Sequence, residues 1–102
     1  MVAKKIYISG PMNGLPEFNY PSFHKATETF EELGYIVYNP ARDYEYDGKL
    51  ESFPVRDAFK YYCRFITEVA DEIHMLKGWE KSIGARAEHA LALAVGIKIS
   101  YQ

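Results

Sequence analysis

A switch of hydrophobic period, repeated along the whole chain, is what most restricts its fold. "KIYISG" (5–10) is a short β-branched run that stops at Gly-Pro, and it reads as a buried strand. A polar, Gly/Pro-rich loop follows. Pro21 then suits the first turn of a helix, with Phe23, Ala26, Phe30 and Leu33 at helical spacing and Gly34 as the stop. "YIVYNP" (35–40) predicts a second strand ended by proline. Residues 41–53 are charged, aromatic and aperiodic, which predicts a surface loop. Pro54 opens a helical segment to about Ala70, and "DEIHML" (71–76) predicts a third strand. After the loop "KGWEKS", a helix from about Ile83 to Val95 ends at Gly96, and "IKISY" is a last strand. The order is β-α-β-α-β-α-β.

Such alternation implies an α/β fold: a four-stranded parallel sheet with right-handed crossovers and helices on both faces, hence three layers. We expect the strand order 2-1-3-4. The 102 residues suffice for one domain, 1–102, and leave no room for a second core. A formal net charge of −2 argues against a nucleic-acid polymer as partner, because phosphate binding wants a basic excess. The single Cys63 excludes an intramolecular disulfide and suits a reducing, cytoplasmic setting. Met1 to Tyr7 has two lysines with no long apolar run after them, so neither a signal peptide nor a membrane span is expected. His24, His74 and His89 are too scattered for a metal centre, and no cofactor is expected.

In open parallel sheets, ligands bind outside the carboxyl ends of the strands. The loops there run from Ser9 to Gly14, Asn39 to Phe53 and Lys77 to Ser82. The first, "YISGPMNG", lets backbone N–H groups of Ser9, Gly10, Pro11's neighbours, Asn13 and Gly14 approach a ligand, yet it is neither G-x-G-x-x-G nor a P-loop. In the third, Ser82 is placed to cap the following helix, whose free N–H groups make an anion site. Gly84 and Ala85 then leave little side-chain bulk one turn before Glu88. On residue chemistry alone Glu88 reads equally as a solvated helix glutamate or as the working group of a site. Trp79 suits either a base to stack on or the sheet edge to cover. Cys63 reads as a small buried hydrophobe.

"KIYISGPMNG", "YIVYNPA" and "LKGWEKSIGARAEHALALAVG" together resemble the nucleoside 2-deoxyribosyltransferase-like superfamily, over nearly the whole chain. The nearest branch holds small phage and bacterial proteins carrying Y-I-x-G-P-M-x-G and G-W-E-x-S-x-G-A-x-x-E. The resemblance implies a single flavodoxin-like (Rossmann-like) domain acting at an N-glycosidic bond, as deoxyribosyltransferases and deoxynucleoside 5′-monophosphate N-hydrolases do. By motif position the nucleophile falls on Glu88 and the neighbouring first-strand tyrosine on Tyr7. The residue six before the nucleophile falls on Ser82, which in nucleotide hydrolases of that superfamily contacts the 5′-phosphate. The implied ligand is a nucleoside or nucleotide, and the loops at the ligand edge offer Ser9, Gly10, Pro11, Asn13, Gly14, Trp79, Ser82 and Gly84 to hold it. A homo-oligomer, in particular a dimer, is implied as well.

Two positions depart from the superfamily pattern. Asp71 fits an acid that starts the third strand, but eight residues earlier, where a second acid belongs, stands Cys63; Asp57 lies farther upstream. Asn13 stands where the hydrolases favour Arg. A nucleotide-binding module without turnover, or an interaction protein with a vestigial pocket, therefore remains beside the enzyme. Asp43, Tyr44 and Tyr46 belong to the loop that would set substrate choice.

Overall fold

The computed structural model describes residues 2–42 and 55–102. The expectations placed on Asp43, Tyr44 and Tyr46, and on the side chain of Asp57, lie outside the described residues. The elements are β1 (Lys5–Ser9), α1 (Tyr20–Glu32), β2 (Ile36–Tyr38), α2 (Val55–Glu68), β3 (Glu72–Met75), α3 (Ile83–Val95) and β4 (Lys98–Tyr101), with short 3-10 turns at Pro16–Asn19 and Trp79–Lys81. All pairings are parallel and the sheet runs β2-β1-β3-β4. This is a flavodoxin-like α/β domain with the anticipated strand order.

The period-2 geometry of β1 builds two cores at once, because successive side chains point to opposite sheet faces. Ile6 and Ile8 join Phe23, Val37, Ala41 and Leu76 in one cluster, with Ala26 and Phe30 of α1 packed against it. Tyr7 goes to the other face, with Tyr62 and Ile66 of α2, Ile73 and Met75 of β3, and Ala85 and Ala92 of α3. Ile6, Ile8, Ile66 and Ile73 are completely buried, and each such side chain contributes about 1.5–3 kcal/mol by leaving water. Because Ala85 and Ala92 are small, α3 lies close to the sheet.

Three sequence expectations are corrected. The second strand is shorter than 35–40, and residues 40–42 form a helical turn where a loop was expected. Leu33 sits at the carboxyl cap of α1, 69% exposed, because the helix ends one residue before the apolar spacing does. Pro54 precedes the described part of α2, which closes at Glu68 rather than Ala70. The boundaries of α3 match: Ser82 Oγ accepts from Ala85 N at 3.2 Å, and Gly96 stops the helix at φ 81°.

β4 is fastened by polar groups on the α1 side of the sheet. Buried Glu72 accepts from Ser100 Oγ at 3.2 Å and lies 3.7 Å from Lys98 Nζ, while His74 Nδ1 is 2.8 Å from the same Ser100 hydroxyl. Burial lowers the His74 pKa, and the nearby Glu72 charge opposes that. At the amino end, Asp71 accepts from Lys5 N at 2.8 Å and its own N–H bonds Lys5 O, which ties β1 to β3. The acid at the strand start is a clasp here.

Candidate active site

Tyr7 and Ser9 lie two residues apart on β1 and so share a face. Opposite them Glu88 emerges from the second turn of α3. The three side chains meet. Tyr7 Oη donates to Glu88 Oε2 and Ser9 Oγ donates to Glu88 Oε1, each at 2.7 Å. Glu88 is only 7% exposed, Tyr7 2% and Ser9 1%. The carboxyl pKa is pushed up to about 7 by burial, with the Ser9 and Tyr7 hydrogen bonds pulling it back down. Burial wins because two neutral donors replace only part of the water a carboxylate loses. Glu88 is thus held in one rotation and titrates near neutrality, a combination that marks a functional candidate.

A cavity of about 660 Å³ opens onto this carboxylate, large enough for a small-molecule ligand. Its walls come from the β1–α1 loop (Gly10, Pro11, Met12, Asn13, Leu15), from α2 (Phe59, Tyr62), and from the segment Lys77 to Ala85 apart from Trp79 and Glu80. The loop passes close to β3 because residue 10 is glycine: a Cβ there would come within 2.7 Å of Leu76 Cβ. Three consecutive non-glycine residues, Glu17, Phe18 and Asn19, hold left-handed φ of 52°, 52° and 62° as the loop turns into α1. Each costs on the order of 1 kcal/mol, and Asn19 Nδ2 donates to Pro11 O at 3.0 Å to steady the turn.

The sequence-derived residues separate clearly. Tyr7, Ser9, Gly10, Pro11, Asn13, Ser82, Gly84 and Glu88 all line the cavity. Gly14 and Trp79 do not line it. The Trp79 indole stacks on His89 with ring centroids 4.1 Å apart and lies near Tyr101, so it covers the β4 edge. A loop tryptophan does not announce its direction, and both partners are remote in sequence. Cys63 is partly rather than fully buried. Burial raises its thiol pKa, and the Glu88 charge adds to that.

Sequence reasoning missed Tyr62 and Phe59. Tyr62 is buried and stacks on Tyr7 with centroids 5.8 Å apart. Helical spacing gave both the look of ordinary core aromatics. Ser9 was singled out as part of a ligand loop, whereas its hydroxyl binds the carboxylate. The Tyr-x-Ser alternation carried that signal. Lys77 and Lys81 add positive charge at the wall beside Ser82. Among the described residues, no group of His, Cys, Asp and Glu could hold a metal ion, and no helix is long and apolar enough to cross a membrane.

Fold and site define a flavodoxin-like domain with a buried, hydroxyl-bound carboxylate at the carboxyl edge of its sheet. A family described as a domain of unknown function, DUF4406, matches residues 4–101, and the chain belongs to that family. No curated protein matches it.

Proposed function

We propose that this protein cleaves or transfers at the N-glycosidic bond of a nucleoside or its 5′-monophosphate, with Glu88 as nucleophile. The observation that carries the reading is the Glu88 carboxylate, buried at the cavity and oriented through both oxygens. Each oxygen spends one lone pair on a hydroxyl and keeps another for attack. In the reaction, a Glu88 oxygen bonds to C1′ of the sugar as the C1′–N bond breaks, and the base departs with the bonding pair and takes up a proton. Water then attacks C1′ of the glycosyl ester and gives up a proton to solvent as the C1′–O bond to Glu88 breaks, yielding the free sugar and the Glu88 carboxylate; an acceptor base that loses its N–H proton in the same way gives transfer. Both steps invert C1′, so configuration is retained overall.

Tyr7 and Ser9 hold the carboxylate before attack. Their hydrogen bonds also stabilise it as the leaving group in the second step. Lys77, Lys81, Ser82 and the amino end of α3 lie together on one cavity wall, an arrangement that suits a 5′-phosphate. The free, partly buried Cys63 thiol fits a reducing cytoplasm. The same residue favours a second reading, a nucleotide-binding module of this fold without turnover, because a neutral thiol stands where the superfamily resemblance asks for an acid.

A panel of deoxynucleosides and their 5′-monophosphates, assayed for free base, tests the reading. Wild type releases base from at least one of them, and Glu88→Gln lowers the rate on the order of a thousand-fold or more. The rate rises with pH through about 7, because only the ionised carboxyl attacks. Release undiminished in Glu88→Gln overturns the assignment of the nucleophile. Binding without release from any member of the panel selects the second reading.

A further inference from the structure

The loop between β3 and α3, residues 77–82, gives the cavity Lys77, Gly78, Lys81 and Ser82, yet little in the loop itself fixes where it lies. Lys77, Glu80 and Lys81 are exposed, Gly78 turns at φ 89°, and the 3-10 turn Trp79–Lys81 buries no residue. Its main-chain bonds run from Trp79 N to Leu76 O, Lys81 N to Gly78 O and Ser82 N to Trp79 O. All are local, so they shape the loop without anchoring it. Segments with so few buried contacts belong to the least stable parts of a fold.

The anchor comes from β4. Gln102 N donates to Met75 O at 2.9 Å, which carries the pairing with β3 one residue past Tyr101. The Gln102 side chain then supplies the next acceptor, and Lys77 N donates to its Oε1 at 2.7 Å. Among the described residues, this is the one hydrogen bond that ties positions 77–81 to a residue outside 76–82. Tyr101 holds the loop a second time, through its ring. Trp79 stacks on His89 at 4.1 Å, the Tyr101 centroid lies 6.1 Å from Trp79, and Tyr101 Oη is 2.8 Å from His89 Nε2. The loop is thus held at position 77 by its main chain and at position 79 by its indole.

We propose that Tyr101 and Gln102 are positioning residues for the cavity: the end of β4 straps the 77–82 loop and so sets how Lys77, Lys81 and Ser82 meet a ligand. Neither residue lines the cavity, so each acts through the loop. The consequence for a phosphate rests on the reading of this wall given above; the strap itself does not.

Trp79 is the only tryptophan of the chain, so its fluorescence reports on this loop alone. Acrylamide quenching of Trp79, amide exchange at Lys77 and Kd for a matched deoxynucleoside and 5′-monophosphate are compared in four proteins. These are the parent, Gln102→Met, Gln102→Glu and Ser100→Ala, all carrying Glu88→Gln so that turnover does not consume the ligand. Methionine keeps the length of the side chain but is a weak acceptor. In Gln102→Met the Lys77 amide exchanges faster, Trp79 is quenched more readily, and the monophosphate Kd rises about three- to ten-fold, the scale of one hydrogen bond. The nucleoside Kd stays within about two-fold, whereas a general loss of stability would move both ligands alike. Gln102→Glu keeps an oxygen acceptor and restores the protection of Lys77 and Trp79. Ser100→Ala frees β4 from Glu72 on the opposite face of the sheet and leaves the loop and the ratio of the two Kd values as in the parent. Unchanged exchange and quenching in Gln102→Met overturn the strap, as does a loop loosened equally by Ser100→Ala. A loosened loop with equal losses for both ligands overturns the positioning role. If the parent binds neither ligand, the glycosidic reading fails, and the strap is decided by Lys77 and Trp79 alone.

Discussion

Glu88 costs the fold stability where the proposed chemistry needs its charge. Its pKa lies near 4.5 in an unfolded chain and about 7 in the folded one. Below pH 4.5 both states hold the proton and the residue is neutral in the balance. Between 4.5 and 7 the folded state keeps a proton that the unfolded state has lost, so stability falls as pH rises. Above 7 the whole difference is felt, about 3 kcal/mol as an upper figure. Glu88→Gln removes it while keeping the shape of the side chain, and its amide still reaches the Tyr7 and Ser9 hydroxyls. We expect the variant to match wild type in urea denaturation near pH 4.5 and to exceed it by up to about 3 kcal/mol at pH 8. A variant less stable than wild type at pH 8 would show the carboxylate to be a net structural asset, against this account. Residue chemistry alone left Glu88 undecided in the sequence, because nothing local says that a helix glutamate will face two hydroxyls on β1. That requires the tertiary contact between residues 79 and 81 positions apart.

At the scale of the element, α3 was legible to its ends and α2 was not. Ser82 and Gly96 bracket α3 as an amino cap and a left-handed stop, both local signals. Tyr62 and Phe59 on α2 could not be told from core aromatics, because the cavity they line exists only once α2 lies beside β1 and α3. The cap suggests an experiment that separates its two roles. Ser82→Ala deletes the acceptor for Ala85 N and costs about 1 kcal/mol. Ser82→Asp keeps an acceptor there and adds a charge that the amino end of the helix favours, so the fold keeps its stability. If the wall beside Lys77 and Lys81 receives a phosphate, both variants weaken monophosphate binding relative to nucleoside binding, and Asp does so more strongly by repulsion. Calorimetric titration with a matched nucleoside and monophosphate reads the difference. Equal losses for the two ligands, or tighter monophosphate binding by Ser82→Asp, remove the phosphate from this wall.

For the molecule as a whole, the alternation of periods sufficed for an all-parallel sheet, and the order 2-1-3-4 needed in addition that both motifs fall at one sheet edge, since right-handed crossovers and short connections leave several ways to arrange four parallel strands. Placing the site at the carboxyl edge followed from the same rule, and the cavity lies there. The direction of Trp79 did not follow, because His89 and Tyr101 reach it only after β4 has paired with β3. The cavity is framed by β1, α2 and α3, and a ligand in it bridges elements that otherwise meet through the Tyr7 core cluster. Binding therefore stabilises the folded chain as a unit. At a hundred times its dissociation constant, a ligand that binds only the folded state adds about 2.7 kcal/mol, or roughly 10 °C or more in melting temperature for a domain of this size. We expect that shift with a deoxynucleoside or its monophosphate, measured in Glu88→Gln so that turnover does not consume the ligand, and a smaller one with free base or free sugar alone. If neither nucleoside nor nucleotide shifts the melting temperature at millimolar concentration while the variant remains folded, the cavity takes a different class of ligand, and the glycosidic reading fails even though the fold stands.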